Sequence, residues 1–167
     1  MTLSTMTDRR EHYAARMLGG RRELHVVTGW LGFARVVAVE LVVPDRGEVV
    51  SRRAIRSDRL APLRAALEHT EITPEPVVFG AAQAHRGVAV RVSAWCTRHG
   101  TTIALRYIAV ETGEPLGWAI ELRDPEALDG LRRAIVALDA AAEAPTANDD
   151  GLTRRPEKNR GWEPRRA

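Results

Sequence analysis

The feature that most constrains the fold is a strand, hairpin and helix plan that occurs twice in the 167 residues. The clearer copy spans residues 88–141, and a fainter copy spans residues 23–69. Because each copy supplies a sheet with one apolar face and a helix to cover it, the two copies predict a pseudo-dimer. The anchors recur in the same order at offsets of 65 to 68 residues: Trp30 and Trp95, Gly47-Glu48 and Gly113-Glu114, Ala54-Ile55 and Ala119-Ile120, and Leu60/Leu63 and Leu128/Leu131.

The second copy has clear β-strand patterning. Residues 88–95 alternate strictly, with Val88, Val90, Val92 and Ala94 on one face and Arg91 on the other. Residues 101–110 form a partner strand, a turn at 111–114 ends the hairpin, and residues 116–122 return. The final helix begins at Pro125, where an acidic first turn suits a helix N-terminus.

The first copy is harder to interpret. Strands are expected at 23–30, 33–43 and 48–55, with a hairpin turn at 44–47, and a helix is expected over 57–69. Upstream of these strands, residues 8–18 space their apolar side chains as a short helix would, and Gly19-Gly20 stops it. Residues 77–79 could add a short strand between the copies.

The predicted fold is therefore α+β, with two ββββα-type repeats, antiparallel sheets each covered by one helix, and a short N-terminal helix. The expected organisation is a flexible N-terminus with that helix at 1–22, a first half at 23–70 and a linker at 71–87. A second half at 88–144 and a disordered basic tail at 145–167 complete it.

Charge and composition exclude several classes of protein. The net charge is +3, but residues 23–138 hold 14 arginines and 14 acids, so the excess positive charge lies at the two ends. No apolar run approaches the roughly 18 residues of a membrane span, and the N-terminus lacks the apolar centre of a signal peptide. A cytoplasmic protein without membrane association is expected. The single cysteine, Cys96, excludes an internal disulfide.

No catalytic signature stands out. The histidines lack metal-ligand spacing, Cys96 has no adjacent His or Asp, and no glycine-rich phosphate loop is present. We therefore expect neither an enzyme nor a bound cofactor or metal.

Five short motifs of the second copy stand in an order found in a known family: Val88-Ala89-Val90-Arg91, Ile103-Ala104-Leu105-Arg106-Tyr107, Gly113-Glu114, Ile120-Glu121-Leu122 and Pro125-Glu126. Through these motifs the second copy resembles the single-stranded-DNA-binding domain of the transcriptional coactivator Positive Cofactor Four. The resemblance covers about 55 residues and implies binding of melted strands along a sheet ridge by basic and aromatic side chains. In the first copy, Glu40 stands where Arg106 stands in the second.

The chain also has a strand start at Glu23-Leu24-His25, a V-R-V strand and a G-E turn before the last helix. In these features the duplicated plan is similar to Whirly-type folds, including the SsgA-like regulators of sporulation septation in actinomycetes. This resemblance implies a regulatory module that works through protein partners without binding nucleic acid. It stays open as the alternative.

The leading hypothesis is a single-stranded DNA- or RNA-binding protein, an accessory factor in transcription or replication that also forms homo-oligomers. Stacking aromatics and phosphate-contacting arginines would form the site. Alternatively, Trp30 and Trp95 are covered by a terminal segment or a subunit contact, Trp118 and Tyr107 are core or interface aromatics, and the tail only aids solubility. The candidate binding residues are Arg91, Trp95, Arg106, Trp30, Arg52, Arg53, Arg154 and Arg155.

Overall fold

Two antiparallel four-stranded sheets make up the protein in a computed structural model that describes residues 3–143. The first sheet has the strand order β1-β2-β3-β4, and the second has β5-β6-β7-β8. The predicted α+β class with two antiparallel sheets and two helices is confirmed. In chain order the elements are β1 (Thr7–Arg16), β2 (Glu23–Leu31), β3 (Ala34–Val43), β4 (Glu48–Arg56), α1 (Ala61–Glu68), β5 (Val77–His85), β6 (Val88–Thr97), β7 (Gly100–Ala109), β8 (Ile120–Leu122) and α2 (Pro125–Glu143).

The predicted short N-terminal helix is wrong, because residues 7–16 form strand β1. This strand pairs antiparallel with β2, and Tyr13 lies opposite Val26 and packs against the core. Two register shifts, between Thr7 and Arg10 and between Glu11 and Tyr13, interrupt its alternation of inward and outward side chains. Because of these shifts, the apolar side chains of residues 7–16 do not alternate with the period of two that identifies a strand. Pairing with the free edge of β2 outweighs the helix-like spacing of the apolar residues.

The segment expected as a linker, 71–87, also carries a strand. β5 runs from Val77 to His85 and has two register shifts of its own, between Val78 and Gly80 and between Gln83 and His85. With β1 and β5 included, each half has four strands followed by a helix.

The central strand pairs of the two sheets share one register. His25 pairs with Glu40 between β2 and β3, and Arg91 pairs with Arg106 between β6 and β7, each residue 66 positions after its counterpart. Side chains alternate between the two faces of a strand. Residues 66 positions apart on these strands therefore occupy corresponding faces.

The helices are exchanged between the halves. α1 contacts β5 and β6 of the second sheet, whereas α2 contacts β1, β2 and β3 of the first. We call the faces that the helices cover the inner faces; they carry Val26 and Val39 in the first sheet and Val90 and Leu105 in the second. These side chains and both helices belong to one continuous buried cluster.

Close backbone approach and polar contacts fix α2 on the first sheet. A Cβ added at Gly130 would lie 2.6 Å from Cβ of Tyr13, so only glycine allows this approach. The Tyr13 hydroxyl donates to Oδ2 of Asp124 at 2.9 Å, and Arg133 donates to the carbonyl of His12 at 2.7 Å. The side chain of Asp124 also accepts from the backbone N–H of Glu126, which caps the helix.

The shared core makes a testable prediction about stability. Leu131 of α2 is fully buried, so Leu131→Ala should lower the free energy of unfolding by about 2–5 kcal/mol. Val136, in the same helix, is 66% exposed, and Val136→Ala should change it by less than about 0.5 kcal/mol. Urea unfolding followed by circular dichroism measures both, and a loss below 1 kcal/mol for Leu131→Ala would contradict this packing.

Candidate nucleic-acid interface

The outer face of the second sheet, opposite its inner face, holds three of the predicted binding residues. Arg91 and Trp95 point outward from β6, and Arg106 points outward from β7. None of the contacts between elements described above brings a helix onto this face. Small and polar side chains fill much of the rest of it, so backbone and arginine atoms are accessible there: Ala81, Gln83, Ser93, Thr102 and Ala104.

Arg91 and Arg106 lie directly opposite each other in the β6–β7 ladder. Like charges in that position repel unless an anion lies between or beside them. Across residues 3–143, neither guanidinium forms a salt bridge with an acid. Arg106 donates from Nε to the carbonyl of Gly117 at 3.1 Å, which leaves its outer nitrogens for other partners. The pair is therefore suited to hold a phosphate or another anion.

Trp95 lies on the same face, four residues along β6 from Arg91. Its indole is 41% exposed, and its Nε1 donates to the carbonyl of Thr73 at 2.9 Å, which fixes the ring. Val78, 58% exposed, lies diagonally across on β5. Residues near Thr73, in the connection between α1 and β5, contact the indole and leave much of it exposed.

In the first sheet, the positions that correspond to Arg91 and Arg106 are occupied by His25 and Glu40, which lie in a buried network of charged side chains. Glu40, the counterpart of Arg106, is fully buried and accepts from Nε of Arg52 at 2.7 Å and from Nη2 of Arg9 at 3.0 Å. Arg9 also donates to Nδ1 of His25 at 2.9 Å, and His25 contacts Glu23. The opposite charges cancel within this network.

Residues 3–6 cover that closed face. Arg52 donates from Nη1 to the carbonyl of Ser4 at 2.7 Å, and Met6 is buried against Val27, Val36 and Ala38. A Cβ at Gly29 would lie 2.6 Å from Met6, so the segment fits closely onto β2. The two sheets thus present unlike outer faces, one open and positive and one covered and neutralised.

Arg52 and Arg53 point to opposite sides of β4. The Arg53 guanidinium lies 4.4 Å from the ring of Tyr107 and is buried between the sheets. Burial lowers the pKa of Arg53 from its ordinary value, and the Tyr107 hydroxyl raises it in part. The same hydroxyl donates to the carbonyl of Arg52 at 2.8 Å. Both arginines are engaged inside the fold, so we leave them out of the proposed interface.

Trp30 is not equivalent to Trp95. Counting 66 positions from Trp30 leads to Cys96, so the two tryptophans lie on opposite faces of their sheets. Trp30 pairs across the hairpin with Arg35, whose guanidinium lies 4.6 Å from its ring. The remaining candidates, Arg154 and Arg155, and the predicted disordered basic tail at 145–167 lie outside the described residues.

The buried ion pairs of Glu40 were missed at the level of sequence. A signal for them existed, because Glu40 is the one acid within the valine-rich strand β3, and Arg52 lies opposite it across the hairpin turn. Within residues 3–143 no group of three or more metal-binding side chains occurs, and neither α1 nor α2 combines the length and the apolar character that a membrane span requires.

No protein-family model matches the chain, and the search of curated proteins found no similar sequence.

The neutralised face predicts an unequal cost for two identical substitutions. Glu40→Gln leaves Arg52 and Arg9 without their buried counter-charge and should lower the free energy of unfolding by about 3–5 kcal/mol. Glu121→Gln removes the exposed ion pair with Arg123 and should cost less than about 1 kcal/mol. Chemical denaturation measures both, and equal losses would contradict the burial of Glu40.

Proposed function

We propose that this protein binds single-stranded DNA or RNA without catalysis, along the outer face of its second sheet. The observation that carries the proposal is the cross-strand pair of Arg91 and Arg106, which faces outward without an acidic partner among the described residues. A backbone of phosphates supplies the anions that the pair lacks.

The aromatic side chain beside the arginines favours unpaired bases over a duplex. Trp95 exposes part of its indole about 13 Å along the strand from Arg91, at about 3.3 Å per residue. An indole stacks on any exposed base, whereas the bases of a duplex are already stacked. The proposed site would hold the phosphates at the arginines and a base at Trp95.

The likeness of the two halves supports a duplicated origin, which we propose together with the Whirly-like and Positive Cofactor Four-like resemblance. Both sheets have the same strand order, and their central pairs share a register. Only the second half keeps an open arginine pair, so we expect one strand bound per chain. A cytoplasmic location, homo-oligomers and an accessory role in transcription or replication belong to the same proposal.

The second candidate is a protein-interaction module of Whirly-like fold. The burial of Arg52 and Arg53 favours it, because these two predicted binding residues are not accessible to a ligand. The described part of the proposed interface then has only two arginines and Trp95. Its exposed apolar side chains, Ile72 and Val78, would then contact a protein partner.

A titration with labelled oligothymidine, followed by fluorescence anisotropy, separates the two candidates. We expect saturable binding that weakens as salt increases, because each neutralised phosphate releases counterions. Arg91→Ala and Arg106→Ala should each weaken binding and reduce the slope of log affinity against log salt by about 0.7.

Arg46→Ala is the matched control, because Arg46 lies in the exposed hairpin turn of the first sheet, away from the proposed face. It should leave affinity and salt slope close to those of the wild type. Failure to bind at low salt would overturn the nucleic-acid proposal and favour the protein-interaction module.

A further inference from the structure

The connection between β7 and β8 presents an exposed tryptophan that the proposed interface has not yet used. Trp118 is 85% exposed, and Leu116 and Val110 of the same connection are 43% and 53% exposed. An indole in water is unfavourable for an isolated protein, because a large apolar surface stays hydrated. Large aromatics in such positions are enriched where proteins bind ligands and partners.

Two arginines hold the backbone of this connection at consecutive carbonyls. Arg106 donates from Nε to the carbonyl of Gly117 at 3.1 Å, and Arg53 donates from Nη2 to the carbonyl of Trp118 at 2.6 Å. One arginine comes from the second sheet and the other from the first. Because Gly117 directly precedes Trp118, the hydrogen bond from Arg106 to Gly117 also places the Trp118 backbone next to the proposed phosphate site.

Arg53 is itself rigidly held. Its guanidinium lies over the ring of Tyr107, and its Nη1 donates to the carbonyl of Arg52 and to Oγ of Ser51. It is 7% exposed, so it reaches no ligand directly. Its free-energy contribution to binding would come through the position of Trp118.

Phe33 shows that exposure alone does not make such a site. It is fully exposed at the tip of the β2–β3 hairpin, in the first sheet, whose outer face is neutralised. No arginine contact among those described holds its backbone carbonyl. Trp118 differs by its fixed backbone and by its neighbour Arg106.

We propose that Trp118 stacks on a base of the bound single strand and that Arg53 is the positioning residue that holds it there. The inference rests on the proposed function and adds a second stacking position to it. A backbone fixed before binding reduces the conformational entropy lost when the strand binds. Arg106 then has two roles, contact with a phosphate and support of the stacking residue.

The test compares oligothymidine with an abasic deoxyribose-phosphate oligomer of the same length. Trp118→Ala should weaken oligothymidine binding at least about fivefold, the lower limit for one lost stacking contact, and leave binding of the abasic oligomer unchanged. Phe33→Ala is the matched control and should change neither. Arg91→Ala should weaken both, because it removes a phosphate contact.

A double-mutant cycle tests the role of Arg53. Arg53→Met should weaken oligothymidine binding to a similar extent and spare the abasic oligomer, and the double variant with Trp118→Ala should show little further loss. If Arg53→Met does not fold by circular dichroism, Arg53→Lys, which keeps the charge and loses the planar fork, replaces it.

The outcomes separate the two proposals. Wild-type protein that binds no oligothymidine would overturn both. Wild-type binding with an unchanged Trp118→Ala variant, or an equal loss on the abasic oligomer, would overturn stacking by Trp118 alone. Additive losses in the double variant would overturn the positioning role of Arg53.

Discussion

The exchange of helices between the two halves is the constraint on which the rest of the structure depends. The inner face of the first sheet is covered by α2 from the far end of the described chain, and that of the second sheet by α1. Neither sheet is covered mainly by the helix that follows its own strands in the sequence. Because both helices and both sheets share one buried cluster, the halves are expected to unfold together.

The inner faces of both sheets are buried in the core, so the two sheets differ mainly in their outer faces. A single pair of corresponding positions shows the difference most clearly: Glu40 in the first sheet and Arg106 in the second. Glu40 accepts hydrogen bonds from Arg9 and Arg52 and lies buried beneath residues 3–6. Arg106 faces Arg91 and stays accessible. Two sheets of the same strand order thus carry one surface for stability and one surface suited to binding.

Much of the fold could be predicted from sequence where alternation and turn chemistry are regular. The strands on either side of the 44–47 turn, the alternating strand β6 and the helix that begins at Pro125 all follow local rules. β1 and β5 do not, because two register shifts in each break the period of two that identifies a strand. The exchange of helices depends on contacts more than 100 residues apart, such as His12 with Arg133, which no local pattern encodes.

The candidate site was only partly predictable for a related reason. Alternation correctly placed Arg91 and Trp95 on the outward side of β6, and the same rule requires the adjacent Arg52 and Arg53 to face opposite ways. How far each side chain is buried, by contrast, depends on segments that are distant in sequence and pack over it. Residues 3–6 cover Arg52, and Tyr107 with the Trp118 backbone encloses Arg53.

The exchanged helices also affect how the chain emerges during synthesis. The first sheet is complete once β4 has been made, yet 87 more residues, from Arg56 to Glu143, must be made before α2 is complete. At about 5–20 residues per second, the valine-rich inner face of the first sheet therefore stays uncovered for about 4 to 17 seconds. During that interval the nascent chain exposes an apolar sheet to chaperones and to neighbouring nascent chains.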